Sequence, residues 1–256
     1  MNFFTIFIRK IAETPSIFFK NKILFDKKQL ENIYKLIDKK IKNITKPKRN
    51  LKKTHIIFNS KIIQILKNRK KLKNFLRIPF IQKVFFVQNR IFIFFELLVL
   101  YKSKKWNFYS HLINENPTGD PVRYFLYPWS SGNRINHVFH LSYLYDFFGD
   151  FIKNINFVFE FGGGYGCMAS IFQKINKNKQ YIIFDTELVN LLQYYYLSLC
   201  AFKVKFIEDK KKRADILLTN NLKEINKQFN LLDKKKYLYI ANWSISETPI
   251  YFRKNF

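Results

Sequence analysis

The sequence predicts an α/β protein whose C-terminal part is a parallel, doubly wound sheet, preceded by a helical N-terminal region. Three observations predict it. From Phe157 onward, short apolar runs alternate with stretches of helical periodicity. A glycine cluster follows the first of those runs and leads into a helix. The first hundred residues, by contrast, repeat apolar side chains at helical spacing and are almost devoid of glycine.

A composition shift near residue 105 divides the chain into a basic helical region, 1–105, and a glycine- and proline-bearing domain, 106–256. Asp26 with Gln29 forms a capping-box pattern, and Leu30, Ile33, Ile37 and Ile41 follow along one face of a helix that should stop before Pro47. A second helix is predicted over Lys61–Leu76, ended by Pro79, and a third over Val84–Tyr101. The polar residues Gln88, Asn89, Arg90 and Glu96 in that third segment argue for a buried helix over a membrane span, with contact to a membrane surface left open. Asn116–Pro121 carries turn chemistry, Trp129–Asn133 reads as a loop, and Ile135–Phe148 has helical spacing. Strands are then expected at Phe157–Phe161 and Tyr181–Asp185, at Lys203–Ile207 or Ala214–Thr219, and at Tyr237–Asn242. Helices Cys167–Ile175 and Leu188–Leu199 separate the first three.

A net charge of +28 would ordinarily point to nucleic acid or an anionic membrane. Here the lysines are spread along the whole chain in a Lys-, Ile-, Asn- and Phe-rich composition, which argues against a nucleic-acid partner. Two distant cysteines, Cys167 and Cys200, form neither a disulfide framework nor a zinc motif, and a reducing cytoplasm is the expected compartment. The apolar N-terminus lacks the basic segment and small-residue cleavage site of a signal peptide.

The chemistry concentrates in Val158–Gly166. An apolar strand passes through an acid, Glu160, into Gly162, Gly163, Gly164, Tyr165 and Gly166 and then a helix. Glycines let a ligand touch the backbone, and the helix amino terminus favours a carboxylate or phosphate. Asp185 closes the next strand, where a carboxylate can accept hydrogen bonds from ribose hydroxyls. A dinucleotide fingerprint would place glycine or alanine where Cys167 stands. The pattern Glu-x-Gly-x-Gly-x-Gly instead resembles motif I of class I methyltransferases. An acid beside the loop suits a cofactor with an ammonium and a sulfonium better than a pyrophosphate.

The resemblance extends over roughly residues 110–256. Tyr181–Glu187, the run Leu192-Gln193-Tyr194-Tyr195-Tyr196-Leu197 and the segment Asn242–Glu247 are similar to the sugar O-methyltransferase family of bacterial polysaccharide gene clusters. Asn116–Pro121 and Asn133–Leu141 resemble its region ahead of the glycine motif, while Asp185-Thr186-Glu187 departs from the Asp-Leu-Pro-Glu expected there. This implies the Rossmann-like parallel sheet of a class I methyltransferase and S-adenosyl-L-methionine as cofactor. Glu160, Gly162, Gly163, Gly164, Tyr165, Gly166, Asp185, Asn242 and Ser244 would be its contacts. A sugar or glycan hydroxyl would be the acceptor. Trp243, Ser244 and Glu247 would line the mouth of the site, with Glu247 or His140 as the base. Glu247 is read equally well as an acid at a helix amino terminus. His137 and His140, three apart, lack further ligands for a metal, and no metal site is predicted. The resembled sheet has three strands beyond the four read here, so a fragment with little activity is expected. An RNA methyltransferase, or a non-catalytic cofactor domain carrying a membrane-surface helical module, are the alternatives.

Overall fold

The first helix, α1 (Lys27–Ile44), forms as its pattern dictates: the Asp26 carboxylate accepts a hydrogen bond from the Lys28 amide at 3.0 Å, and Ile33, Ile37 and Ile41 are buried. The computed structural model describes residues 26–44, 53–85, 91–209, 214–231, 236–242 and 244. Contacts divide the chain into two compact units, 1–149 and 150–256. The division thus falls at Gly149/Asp150, whereas the composition shift lies near residue 105.

In the N-terminal unit the single helix expected over Lys61–Leu76 is replaced by α2 (Lys53–Lys67), α3 (Arg69–Lys73) and a 3-10 turn, Phe75–Arg77. Asn68 makes the break, because its side chain accepts from the Lys71 amide at 3.0 Å and starts a new helix. Pro79 likewise opens α4 (Pro79–Val84) as its first residue, where proline's missing N–H costs nothing. The third predicted helix survives only as α5 (Ile93–Lys102); residues 86–90, including Gln88, Asn89 and Arg90, lie outside the described residues. Glu96 on α5 is buried and accepts from Asn136 at 2.8 Å. After α6 (Trp106–Ile113) comes the expected turn, with Asp120 N–H bonded to the Pro117 carbonyl at 3.0 Å. The predicted loop Trp129–Asn133 is instead the end of a strand and the start of a helix. β1 (Arg123–Tyr124) pairs antiparallel with β2 (Tyr127–Ser131), and Ser131 caps α7 (Gly132–Phe148) by accepting from the Arg134 amide. Helices α5 and α6 both pack on α7.

The C-terminal unit runs α8 (Phe151–Asn154), β3 (Phe157–Phe161), α9 (Cys167–Ile175), β4 (Gln180–Phe184), α10 (Glu187–Leu199), β5 (Val204–Phe206), β6 (Ile216–Thr219), α11 (Leu222–Leu231) and β7 (Tyr237–Ile240). Its five strands form one sheet in the order β5-β6-β4-β3-β7, and every pair is parallel. Both candidates for the third strand are present: β6 occupies the place beside β4, and β5 adds an edge beyond it. Along β3 the side chains alternate. Phe157, Phe159 and Phe161 join Ile182 and Ile225 in one core, where α11 adds Leu222 and Phe229. The other face packs against α9, whose Phe172 meets Tyr181 at 5.8 Å, and α10, whose Tyr194 meets Phe206 at 5.5 Å. Helices on both faces of a parallel sheet make this an α/β architecture compatible with a Rossmann-like fold. β7 is an edge among the described residues; Tyr237 and Tyr239 on it are exposed and stack on Phe157 and Phe159.

Among the described residues no helix is long and apolar enough to cross a membrane. No cluster of three or more His, Cys, Asp or Glu able to hold a metal occurs among them either.

Candidate cofactor site

The strand order fixes where a ligand can enter. From β3 the chain steps to β4, passes out to the edge at β5 and back inward to β6 on one side, then crosses by α11 to place β7 on the other. The crossovers therefore part between β3 and β7, and a crevice at such a switch point opens beyond the carboxyl ends of the strands. The loop Gly162–Gly166 occupies this position.

Immediately after β3 the backbone enters left-handed conformations, with φ of +70° at Gly162 and +55° at Gly164, where a side chain would be strained. Gly163 is required for a different reason. A Cβ there would lie 2.8 Å from Ile183 Cγ2 and 2.9 Å from Glu160 Oε2, so the loop closes directly over the acid. Glu160 is buried, 3% exposed, and its Oε2 accepts a hydrogen bond from the Tyr181 hydroxyl at 2.9 Å. Burial pushes its pKa up to about 7, a rise opposed by the Tyr181 bond and assisted by the nearby Asp185 charge. Tyr181 is itself pushed up by burial and by Glu160.

Asp185 follows β4 and faces the same loop. Its carboxylate accepts from the Thr186 amide at 2.7 Å and from Gln193 Nε2 at 3.0 Å, and from the Gly163 backbone. The residue is half-buried, yet its carboxylate sits among these donors. Desolvation raises its pKa to about 7, with the three hydrogen bonds holding it down against burial. An ionised carboxylate offers about four acceptor positions, so capacity for one more donor remains.

The other predicted residues are distributed unevenly. Ser244 packs on Gly162, where an added Cβ would overlap the serine side chain, and its hydroxyl donates to the Phe161 carbonyl. Asn242 is exposed just beyond β7, and its carbonyl accepts from the Ser244 amide at 2.7 Å. Tyr165 turns inward: its ring is buried edge-on against Tyr196 at 4.9 Å, so only its backbone belongs to the loop surface. Trp243 and Glu247 lie outside the described residues. His140 belongs to α7 in the N-terminal unit, where its ring is exposed and its pKa is lowered by partial desolvation; His137 is lowered to about 4 by burial. The structure thus gathers Glu160, Gly162–Gly166, Asp185 and Ser244 into one corner.

Three residues of this corner went unassigned from sequence: Tyr181, Asn190 and Gln193. Tyr181 was legible in principle, because it shares Glu160's face of the sheet in the β3–β4 register. Asn190 and Gln193 are polar residues inside an otherwise apolar helix face, each 1% exposed or less, which is a signal for a structural or binding duty. No family model, no curated protein and no solved structure matches this chain, and the site stands on its geometry.

Proposed function

We propose that this chain is an S-adenosyl-L-methionine-dependent O-methyltransferase acting on a sugar hydroxyl, in surface polysaccharide synthesis. One observation carries the reading: at the switch point, a glycine loop rests on a buried acid and is hydrogen-bonded to a second acid at the end of the next strand.

The residues fit such a cofactor on three counts. Glu160 places a carboxylate directly beneath a loop without side chains, which attracts an ammonium or sulfonium rather than a pyrophosphate. The amino terminus of α9 follows the loop and favours a carboxylate. Asp185 retains acceptor capacity for a ribose hydroxyl.

When bound, the cofactor supplies a methyl group already activated on sulfur. The protein's work is then alignment and proton removal. The loop backbone and Glu160 hold the amino-acid end, Asp185 holds the ribose, and Glu247 takes the proton of the acceptor hydroxyl, with His140 as the alternative base. A histidine whose pKa is lowered is neutral at pH 7 and can accept a proton. The test is transfer of labelled methyl from S-adenosyl-L-methionine to a panel of saccharides. Whatever transfer the wild-type chain gives is expected to fall at least about a hundredfold in whichever of Glu247→Gln and His140→Ala removes the base. Full activity in both variants would remove both assignments.

A second reading, methyl transfer to RNA, draws on the net charge of +28. It requires RNA binding that falls steeply with salt, which an unmodified saccharide acceptor would not show.

A further inference from the structure

We infer that Gln193 is a positioning residue for the cofactor site: from α10 it ties the glycine loop to Asp185 and so sets the distance between the two cofactor-binding halves. This rests on the loop being an S-adenosyl-L-methionine site. Gln193 is fully buried, and its single amide nitrogen bonds two acceptors at once, the Gly164 carbonyl at 2.9 Å and Asp185 Oδ2 at 3.0 Å. One acceptor belongs to the loop and the other to the acid after β4. Asp185 also accepts from the Gly163 backbone, so Gln193 adds a second link between the acid and the loop, one residue further along.

The same helix face is shaped to the loop residue by residue. Gln193 meets Gly164, the Tyr196 ring meets the Tyr165 ring at 4.9 Å, and Leu197 lies where a Cβ on Gly166 would approach to 2.9 Å. These three positions, spaced three and four apart, lie on one side of α10. One turn earlier Asn190 Nδ2 donates to the Asp185 carbonyl at 3.2 Å, fixing the strand-to-helix corner from the same helix. The helix is therefore the floor of the loop, and Gln193 is the point where that floor touches both halves. An apolar side chain of equal length would keep the packing and remove both hydrogen bonds. That leaves the Gly164 carbonyl without this donor and removes one of the three donors on the Asp185 carboxylate, leaving the Thr186 amide and the Gly163 backbone to hold it.

The experiment is a double-mutant cycle on the full chain, with S-adenosyl-L-methionine affinity by isothermal titration as readout and thermal unfolding without cofactor as control. Gln193→Met and Asp185→Ala are each expected to weaken binding by about ten- to a hundredfold. The double variant should bind little worse than Asp185→Ala alone, because the glutamine acts through the aspartate. Gln193→Glu, which sets an acceptor against two acceptors, should be worse than Gln193→Met. Amide hydrogen exchange at 162–166 should speed up in Gln193→Met. Wild-type affinity in Gln193→Met, or losses that multiply in the double variant, would overturn the positioning role while leaving the cofactor assignment intact. A wild-type chain that binds no S-adenosyl-L-methionine would overturn that assignment and this role with it.

Discussion

At Glu160 two requirements conflict. A carboxylate buried under Gly163 costs free energy unless it is protonated or paired, and the one hydrogen bond seen, from Tyr181, does not compensate for the desolvation. Its pKa near 7, like that of Asp185, means that the folded state holds protons which the unfolded chain has released by about pH 4. Stability contributed by these two groups is therefore present at low pH and lost as pH rises through about 7. Urea denaturation between pH 5 and 8 should show falling stability at these sites, and Glu160→Gln should flatten the slope. Cofactor affinity should run the other way: ionisation supplies the charge that attracts a cation, so binding strengthens as pH rises from about 6 to 8 and Glu160→Gln loses much of that dependence. A slope of the same sign in both measurements would refute the role given to this acid.

At the scale of elements, β3, the glycine loop and α9 were legible from sequence to within a residue. Each boundary is set locally: the buried run ends at Phe161, and the glycines that follow take φ values that other residues avoid. The N-terminal helices were legible in kind but not in extent. The break at Asn68 sits inside an unbroken apolar period, and only a local side-chain bond decides for a new helix over continuation. Ser131 could not be read as a cap because its partner strand, β1, is two residues long. For the corner around the glycine loop, the acids and glycines stood out, whereas Gln193 did not, since its partners come from a separate strand and loop. The contact of Ser244 with Gly162 joins segments far apart in sequence and yields a prediction. Gly162→Ala combines a positive φ with collision against Ser244 and should cost about 1–3 kcal/mol in thermal or urea unfolding, with cofactor binding lost as well. A stable variant that binds normally would show that the turn after β7 does not press on the loop.

For the whole molecule, the chain divides at Gly149/Asp150 into a helical unit with a short hairpin and a parallel-sheet unit that holds Glu160, the glycine loop, Asp185 and Ser244. The parallel sheet was legible because alternating strands and helices call for βαβ units, whereas the order of its strands comes from the structure. The place of β5 was not legible, since a three-residue strand carries too little pattern to distinguish an inner from an edge position. The charge of +28 acts on the molecule as a whole and is separable from the corner around the glycine loop, whose own acids are Glu160 and Asp185. The most direct measurement is isothermal titration of the purified chain with S-adenosyl-L-methionine and, in parallel, with NAD. Saturable binding of S-adenosyl-L-methionine that Asp185→Ala weakens by about tenfold or more, with no binding of NAD, is the predicted result; tight NAD binding, or binding of neither, would contradict it.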